Sequence, residues 1–191
     1  MSRASWQFGL NAVALLGWGG VLHTLAANWA TVSLANGTWL IRTTLCLECV
    51  CWFEVAQILT GAAKGNAVLG LCIHVARSIV LFVVFPTLPT ATASKLALLA
   101  WAVTEVMRYP MFLAPHSSIL RALRYLAPLV TFPLGAFAEA AACYAAVPLL
   151  TSPVKYMVGS VVPYNSLGFF AGYGVMVKKA LQTLKPRKPG D

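Results

Sequence analysis

Apolar residues fill six runs of the chain, at about 6–30, 39–59, 67–85, 93–113, 121–150 and 156–177. A bilayer core takes about 20 apolar residues per helix, so each run predicts one membrane span. The breaks between them carry turn formers: Ala35-Asn36-Gly37, the stretch 61–66, Pro86 and Pro89, the stretch 114–118, and Thr151-Ser152-Pro153. The sixth run is expected to be interrupted near Pro163-Tyr164-Asn165, and a basic tail follows at 178–191. The first run lacks a small-residue cleavage site, so it is expected to be a span and not a signal peptide. The pattern predicts an all-α membrane protein: one domain, 1–191, folded as a bundle of six transmembrane helices.

Composition agrees. The chain is 59% hydrophobic and 10% charged, where soluble domains carry about 25% charge. Mean hydropathy is +0.76. The net charge of +9 does not point to nucleic acid, because most of the 14 Lys and Arg stand at the ends of apolar runs. Six spans put both termini on one side. Arg3, Lys64, Arg108, Arg121, Arg124, Lys178, Lys179, Lys185, Arg187 and Lys188 fall on that side, against Arg42, Lys95 and Lys155 on the other. Positive charge gathers inside, so the termini are expected to face the cytosol, or the matrix in a mitochondrial membrane.

Four of the five acidic residues, Glu48, Glu54, Glu105 and Glu139, lie inside apolar runs. A carboxylate there costs about 2.5–3.5 kcal/mol on insertion scales, so it is either functional or paired. Arg42, Arg77 and Arg108 are the available partners, and Arg108 follows Glu105 at i+3 on one helix face. Glu139 stands seven residues after Phe132, two turns and about 10 Å along one face. Cys46, Cys49, Cys51, Cys72 and Cys143 read as small apolar packers. The lone His74 reads as structural. No His/Cys/Asp/Glu set has metal spacing, and no phosphate loop or nucleophile elbow is present, so neither metal nor cofactor is expected. Nor is there a filter-like sequence or acidic ring.

Several stretches resemble the 3-hydroxyacyl-CoA dehydratase family, the protein-tyrosine-phosphatase-like membrane family of very-long-chain fatty acid elongation. Leu10-Asn11 with Gly17-Trp18 resembles its Tyr-Asn…Gly-Trp signature, and Leu47-Glu48 its second-span Leu-Glu. The segment 100–109, AWAVTEVMRY, is similar to A-W-x-x-T-E-[IV]-[IV]-R-Y. Arg124-Tyr125 resembles the opening of the fifth-span motif, the segment 132–139, FPLGAFAE, its Tyr-Pro-x-Gly-x-x-x-Glu, and the segment 144–148 the end of that span.

The resemblance implies a six-helix bundle that removes water from a (3R)-3-hydroxyacyl-CoA to give a trans-2-enoyl-CoA. A Tyr and a Glu of the fifth span would be the catalytic pair, placing Glu139 and position 132 at the reaction. Arg108, Arg124, Tyr125, Glu105 and Asn11 would bind substrate, with Arg108, Arg124 and Arg121 near the CoA phosphates. The chain departs from the pattern at Phe132, which has no proton to give, and also at Leu10 and in a short loop before the fifth run. Tyr109 and Tyr125 are the nearby phenols. Losing one acid–base member costs about 10²–10⁴-fold in rate, so impaired or lost catalysis is expected. The alternative is a non-catalytic lipid-binding or structural subunit of a larger membrane complex, for which Gly135/Ala138 and Gly168/Gly172/Gly174 offer small-residue faces. Expected partners are membrane lipids, an acyl-CoA or acyl chain, and other membrane subunits. The resemblance implies the endoplasmic reticulum, although Lys188-Pro189-Gly190-Asp191 is not the family's dilysine ending; the mitochondrial inner membrane is the alternative.

Overall fold

The computed structural model describes residues 3–63 and 65–184, apart from the side chains at 3–5, 171 and 184. Lys64, the Arg3 side chain and the tail beyond 184 lie outside the described residues.

Among the described residues the chain is helical throughout, with no strand. Six long helices follow one another: α1 (Arg3–Ala27), α2 (Trp39–Leu59), α3 (Ala67–Thr87), α4 (Thr92–Leu113), α5 (Ser118–Ala146) and α6 (Val154–Leu184). The helix starts obey local chemistry. Thr38, Asn66 and Ser117 each turn a side-chain oxygen onto the N–H three residues ahead, in Ile41, Leu69 and Leu120. Gly37 and Gly61 take the left-handed conformation (φ 82° and 73°) in the turns that bracket α2.

Four helices are long and apolar enough to cross a membrane: α1, α3, α4 and α5. Polar residues dilute the other two, Arg42, Glu48 and Glu54 in α2, and Lys155, Asn165 and Lys178 in α6. The outer surface is apolar, with Leu16, Val68, Phe82, Val130, Phe137 and Phe170 all exposed. Such a surface suits lipid and not water. The chain is an all-α membrane protein.

α4 sits at the centre, packed on α1 and α5; α5 packs in turn on α6, and α2 links α1 to α3. Small residues permit close approach. A methyl group at Gly17 would fall 2.7 Å from Leu47 Cδ2, and one at Gly135 3.4 Å from Ala100 Cβ. By contrast, a methyl group at Gly168, Gly172 or Gly174 of α6 would meet nothing within 4 Å among the described residues, and of these Gly168 and Gly172, four residues apart, share one face. At one end, the Leu34 N–H reaches the Pro89 carbonyl at 2.7 Å and Lys95 Nζ the Trp29 carbonyl at 2.9 Å. These bonds tie the α1–α2 and α3–α4 connections together, as an up-and-down chain requires.

The prolines bear out one expectation and correct another. α3 ends at Thr87, between Pro86 and Pro89, after residues Val80–Val84 widen into a π-helix with the Phe85 N–H on the Val80 carbonyl. A π turn absorbs the bond that Pro86 cannot make and leaves Phe85 buried against Trp101, ring centres 5.3 Å apart. α6 is not interrupted near Pro163 but runs through it, and it continues past Lys178 and Lys179 to Leu184. α5 carries Pro128 and Pro133 without ending. Pro133 frees the carbonyl of Leu129, four residues back, and the Tyr173 hydroxyl of α6 donates to it at 3.1 Å. A partner from a neighbouring helix is what makes an intramembrane proline tolerable.

Candidate functional site

Glu139 projects from the buried face of α5 into the crevice between α4 and α6. That face is a helical stripe: Thr131, Gly135, Ala138, Glu139 and Ala142 are all buried. Trp101 Nε1 of α4 donates to Glu139 Oε1 at 2.5 Å, and Asn165 Nδ2 of α6 donates to Oε2 at 2.9 Å. Both carboxyl oxygens are therefore held by neutral donors. Neither Trp101 nor Asn165 stands out as a candidate from sequence. Trp101 lies within the segment 100–109, and Asn165 within the expected break of the sixth run; an indole and an amide in apolar runs are the available signal.

Phe132 faces α6 as well. It stacks on Phe169, centroids 6.1 Å apart and planes 14° from parallel, and Phe169 stacks on Tyr173 at 5.1 Å. Phe169 is one turn beyond Asn165, so Phe132 and Glu139 share a face, as their spacing predicts. Among the described residues no phenol donates to Glu139. The Tyr109 hydroxyl is engaged with Glu54 at 3.0 Å and with Arg108 at 2.9 Å, and Tyr125 lies nearer the other end of α5.

A second polar layer joins α2, α3 and α4. Arg77 Nη1 donates to Glu105 Oε1 at 2.9 Å, and its guanidinium lies 5.2 Å from the Trp101 ring centre. Arg108 donates from Nε to Glu105 Oε2 at 2.7 Å, which is the i+3 pair, and from Nη1 to Glu54 Oε2 at 2.8 Å. His74 Nδ1 meets Glu48 Oε1 at 2.7 Å. The expected partners Arg77 and Arg108 are thus used, and Arg42 is not.

The two layers meet at Trp101, which holds Glu139 on one side and stacks under Arg77 on the other. Glu105 belongs to the charged layer, where two arginines occupy it. Asn11 lies half-buried on α1, outside both sets of bonds. Cys46 and Cys49 are exposed on the bundle surface, whereas Cys51 and Cys143 are buried. Spacing along the chain offers no metal-type set, but the fold brings Glu48, Cys51 and His74 together, their donor atoms all within 4.8 Å of one another. They come from two helices, which spacing along the chain does not reveal.

Beyond Thr104 and Thr131, whose hydroxyls pair at 2.7 Å, a cleft of about 190 Å³ opens. It is lined by Thr104, Arg108, Arg124, Tyr125, Pro128, Met176 and Lys179. The Arg124 guanidinium lies 4.7 Å from the Phe112 ring centre and 5.8 Å from that of Tyr125. Three residues expected to bind substrate, Arg108, Arg124 and Tyr125, therefore do come together, with Lys179 beside them. Arg121 instead bonds the Pro115 carbonyl at 3.2 Å.

A very-long-chain (3R)-3-hydroxyacyl-CoA dehydratase of Gallus gallus is 24% identical over 158 residues, covering 71% of this chain and 44% of that protein. The chain thus spans less than half the length of this relative. No solved structure matches it. Residues 48–184 match the family described as protein tyrosine phosphatase-like protein, PTPLA. That match runs from the middle of α2 to the end of α6, with both polar layers and the cleft, and so the chain belongs to the PTPLA family.

Proposed function

We propose that the chain is a (3R)-3-hydroxyacyl-CoA dehydratase-like protein of very-long-chain fatty acid elongation whose own catalysis is impaired or lost. One observation carries this reading: Glu139 is buried between Trp101 and Asn165, while Phe132, where the family has Tyr, stacks on Phe169. Dehydration needs a base for the proton α to the thioester and an acid for the departing hydroxyl. Glu139 supplies one titratable group. Phe132 supplies none, the Tyr109 phenol is bonded to Glu54 and Arg108, and Tyr125 lies toward the other end of α5.

The cleft between α4, α5 and α6 suits the polar end of an acyl-CoA. Arg124 and Lys179 are its available cations, since Nε, Nη1 and Nη2 of Arg108 are all bonded inside the bundle. Phosphate recognition by such groups is electrostatic. Six spans with both termini on the cytosolic or matrix side complete the proposal, in the endoplasmic reticulum or the mitochondrial inner membrane.

A second reading, a structural or lipid-binding subunit of a larger membrane complex, draws on Gly168 and Gly172, which share one face of α6 with nothing within 4 Å of an added methyl among the described residues. Small residues on an outer face allow another helix to approach closely.

The test is turnover of a long-chain (3R)-3-hydroxyacyl-CoA by the purified protein. Wild type is expected to run at least about 10²-fold slower than Phe132→Tyr. Wild-type turnover equal to that of Phe132→Tyr, and abolished by Glu139→Ala, would overturn the loss of catalysis. Silence in both proteins, with purification in a fixed stoichiometric complex, would favour the subunit.

A further inference from the structure

Glu48 and Cys51 stand one turn apart on the buried face of α2, and His74 meets them from α3. All three are buried, and their donor atoms lie within 4.8 Å of one another. Donors sharing one tetrahedral zinc ion sit about 3.3–3.8 Å apart, given bonds of about 2.3 Å to sulfur and 2.0–2.1 Å to nitrogen. The widest pair of the cluster therefore has to close by about 1 Å to share an ion, a distance that side-chain rotation covers.

Its donors are also under-used. Glu48 Oε2 is buried without a hydrogen-bond partner, although Glu48 is only 3% exposed. Cys51 Sγ has only a long contact, 3.9 Å, with the Tyr109 hydroxyl. Buried polar atoms without partners are costly and call for an explanation. The Trp52 ring packs beside the imidazole, with ring centres 6.1 Å apart, and Trp52 is itself held by the bond from its Nε1 to Ser78 Oγ at 3.1 Å. Charge points the same way. Among the described residues, Glu48, Glu54 and Glu105 face Arg77, Arg108 and His74, and both arginines are taken up by Glu105 and Glu54, so no arginine pairs with Glu48.

We propose that Glu48, Cys51 and His74 form a buried site for a divalent transition-metal ion, best suited to Zn²⁺, that pins α2 to α3. Thiolate, imidazole and carboxylate are a zinc donor set, and three protein ligands leave a fourth position for a small ligand. On binding, Cys51 gives up its thiol proton to solvent, the imidazole binds neutral, and Glu48 binds ionised. Two negative ligands on a doubly charged ion make a neutral unit, which suits an apolar interior. The site is separate from Glu139 and does not rest on the dehydratase reading.

The test is metal analysis of the full chain purified in detergent, with Co²⁺ exchange as a second readout. Stoichiometric zinc is expected in wild type and in Cys143→Ala, and its loss in Cys51→Ser and His74→Ala. The cobalt form is expected to show a near-ultraviolet thiolate-to-metal charge-transfer band that Cys51→Ser removes. If the variants fail to fold, the cobalt band of wild type still decides. Helical wild-type protein with no metal and no cobalt band overturns the proposal and leaves Glu48–His74 as a simple ion pair. So does metal retained in folded Cys51→Ser/His74→Ala protein, or substoichiometric metal that these changes do not alter.

Discussion

The bundle holds two of its buried carboxylates in opposite ways. Glu105 sits between two arginines, Arg77 and Arg108, and Arg108 is shared with Glu54 and bonded to Tyr109. Glu139, on the next helix, takes its hydrogen bonds from neutral donors, an indole and an amide. The first arrangement neutralises a charge and ties α2, α3 and α4 together. The second leaves an acid whose proton is not claimed by a neighbouring cation. An enzyme of this chemistry needs the second kind of carboxyl, while a membrane bundle needs the first to survive its own charges. Trp101 separates them, presenting its ring to Arg77 and its N–H to Glu139.

The widest gap between the two layers should appear on removing each carboxylate. Glu105→Ala leaves Arg77 without its partner and Arg108 with Glu54 alone, and breaking a buried pair costs about 3–5 kcal/mol. Unfolding in mixed detergent micelles should show a loss of that order, or no folded protein. Glu139→Gln keeps an acceptor for one of the two donors and removes no cation's partner, so its cost should be far smaller. Equal losses at the two positions would erase the distinction between a structural and a chemical carboxyl.

Trp101→Phe sharpens the comparison at the next level. It keeps a ring beneath Arg77 and against Phe85 but removes the donor to Glu139 Oε1. A buried acceptor left without its partner costs about 1–3 kcal/mol. The same unfolding measurement should place this variant between Glu105→Ala and Glu139→Gln. If the Phe132→Tyr protein is active, adding Trp101→Phe should change its pH–rate profile, because the carboxyl loses one of its two fixed donors.

The reach of the sequence follows the same division. The helices lie close to the six apolar runs, because turn formers in the chain itself close most of those runs. Glu105–Arg108 is legible because i+3 is a local relation, and Phe132 and Glu139 share a face because seven residues are two turns. Glu54–Arg108, Arg77–Glu105 and Glu48–Cys51–His74 are not, since they depend on how helices rotate against one another. Pro163 misleads for a related reason. Whether a proline ends a helix depends on what takes the freed carbonyl, and that group comes from elsewhere in the fold, as the Tyr173 hydroxyl does for Pro133 of α5. Trp101 and Asn165 look ordinary in sequence because only the fold points them at Glu139.

The smallest expected effect tests the α5–α6 contact beside Glu139. Tyr173→Phe removes the donor to the Leu129 carbonyl, a loss of about 1 kcal/mol. The reason that bond exists is Pro133, which has no N–H for the carbonyl four residues back. In Pro133→Ala the helix can make its own bond there, so Tyr173→Phe should then cost almost nothing. A double-mutant cycle measured by unfolding should give a coupling of about 1 kcal/mol between residues 133 and 173. Additive effects would mean that the hydroxyl does not replace the missing bond. Coupling as expected would mean that α6 is held against α5 where Phe132 stacks on Phe169, one turn from the donor that fixes Glu139.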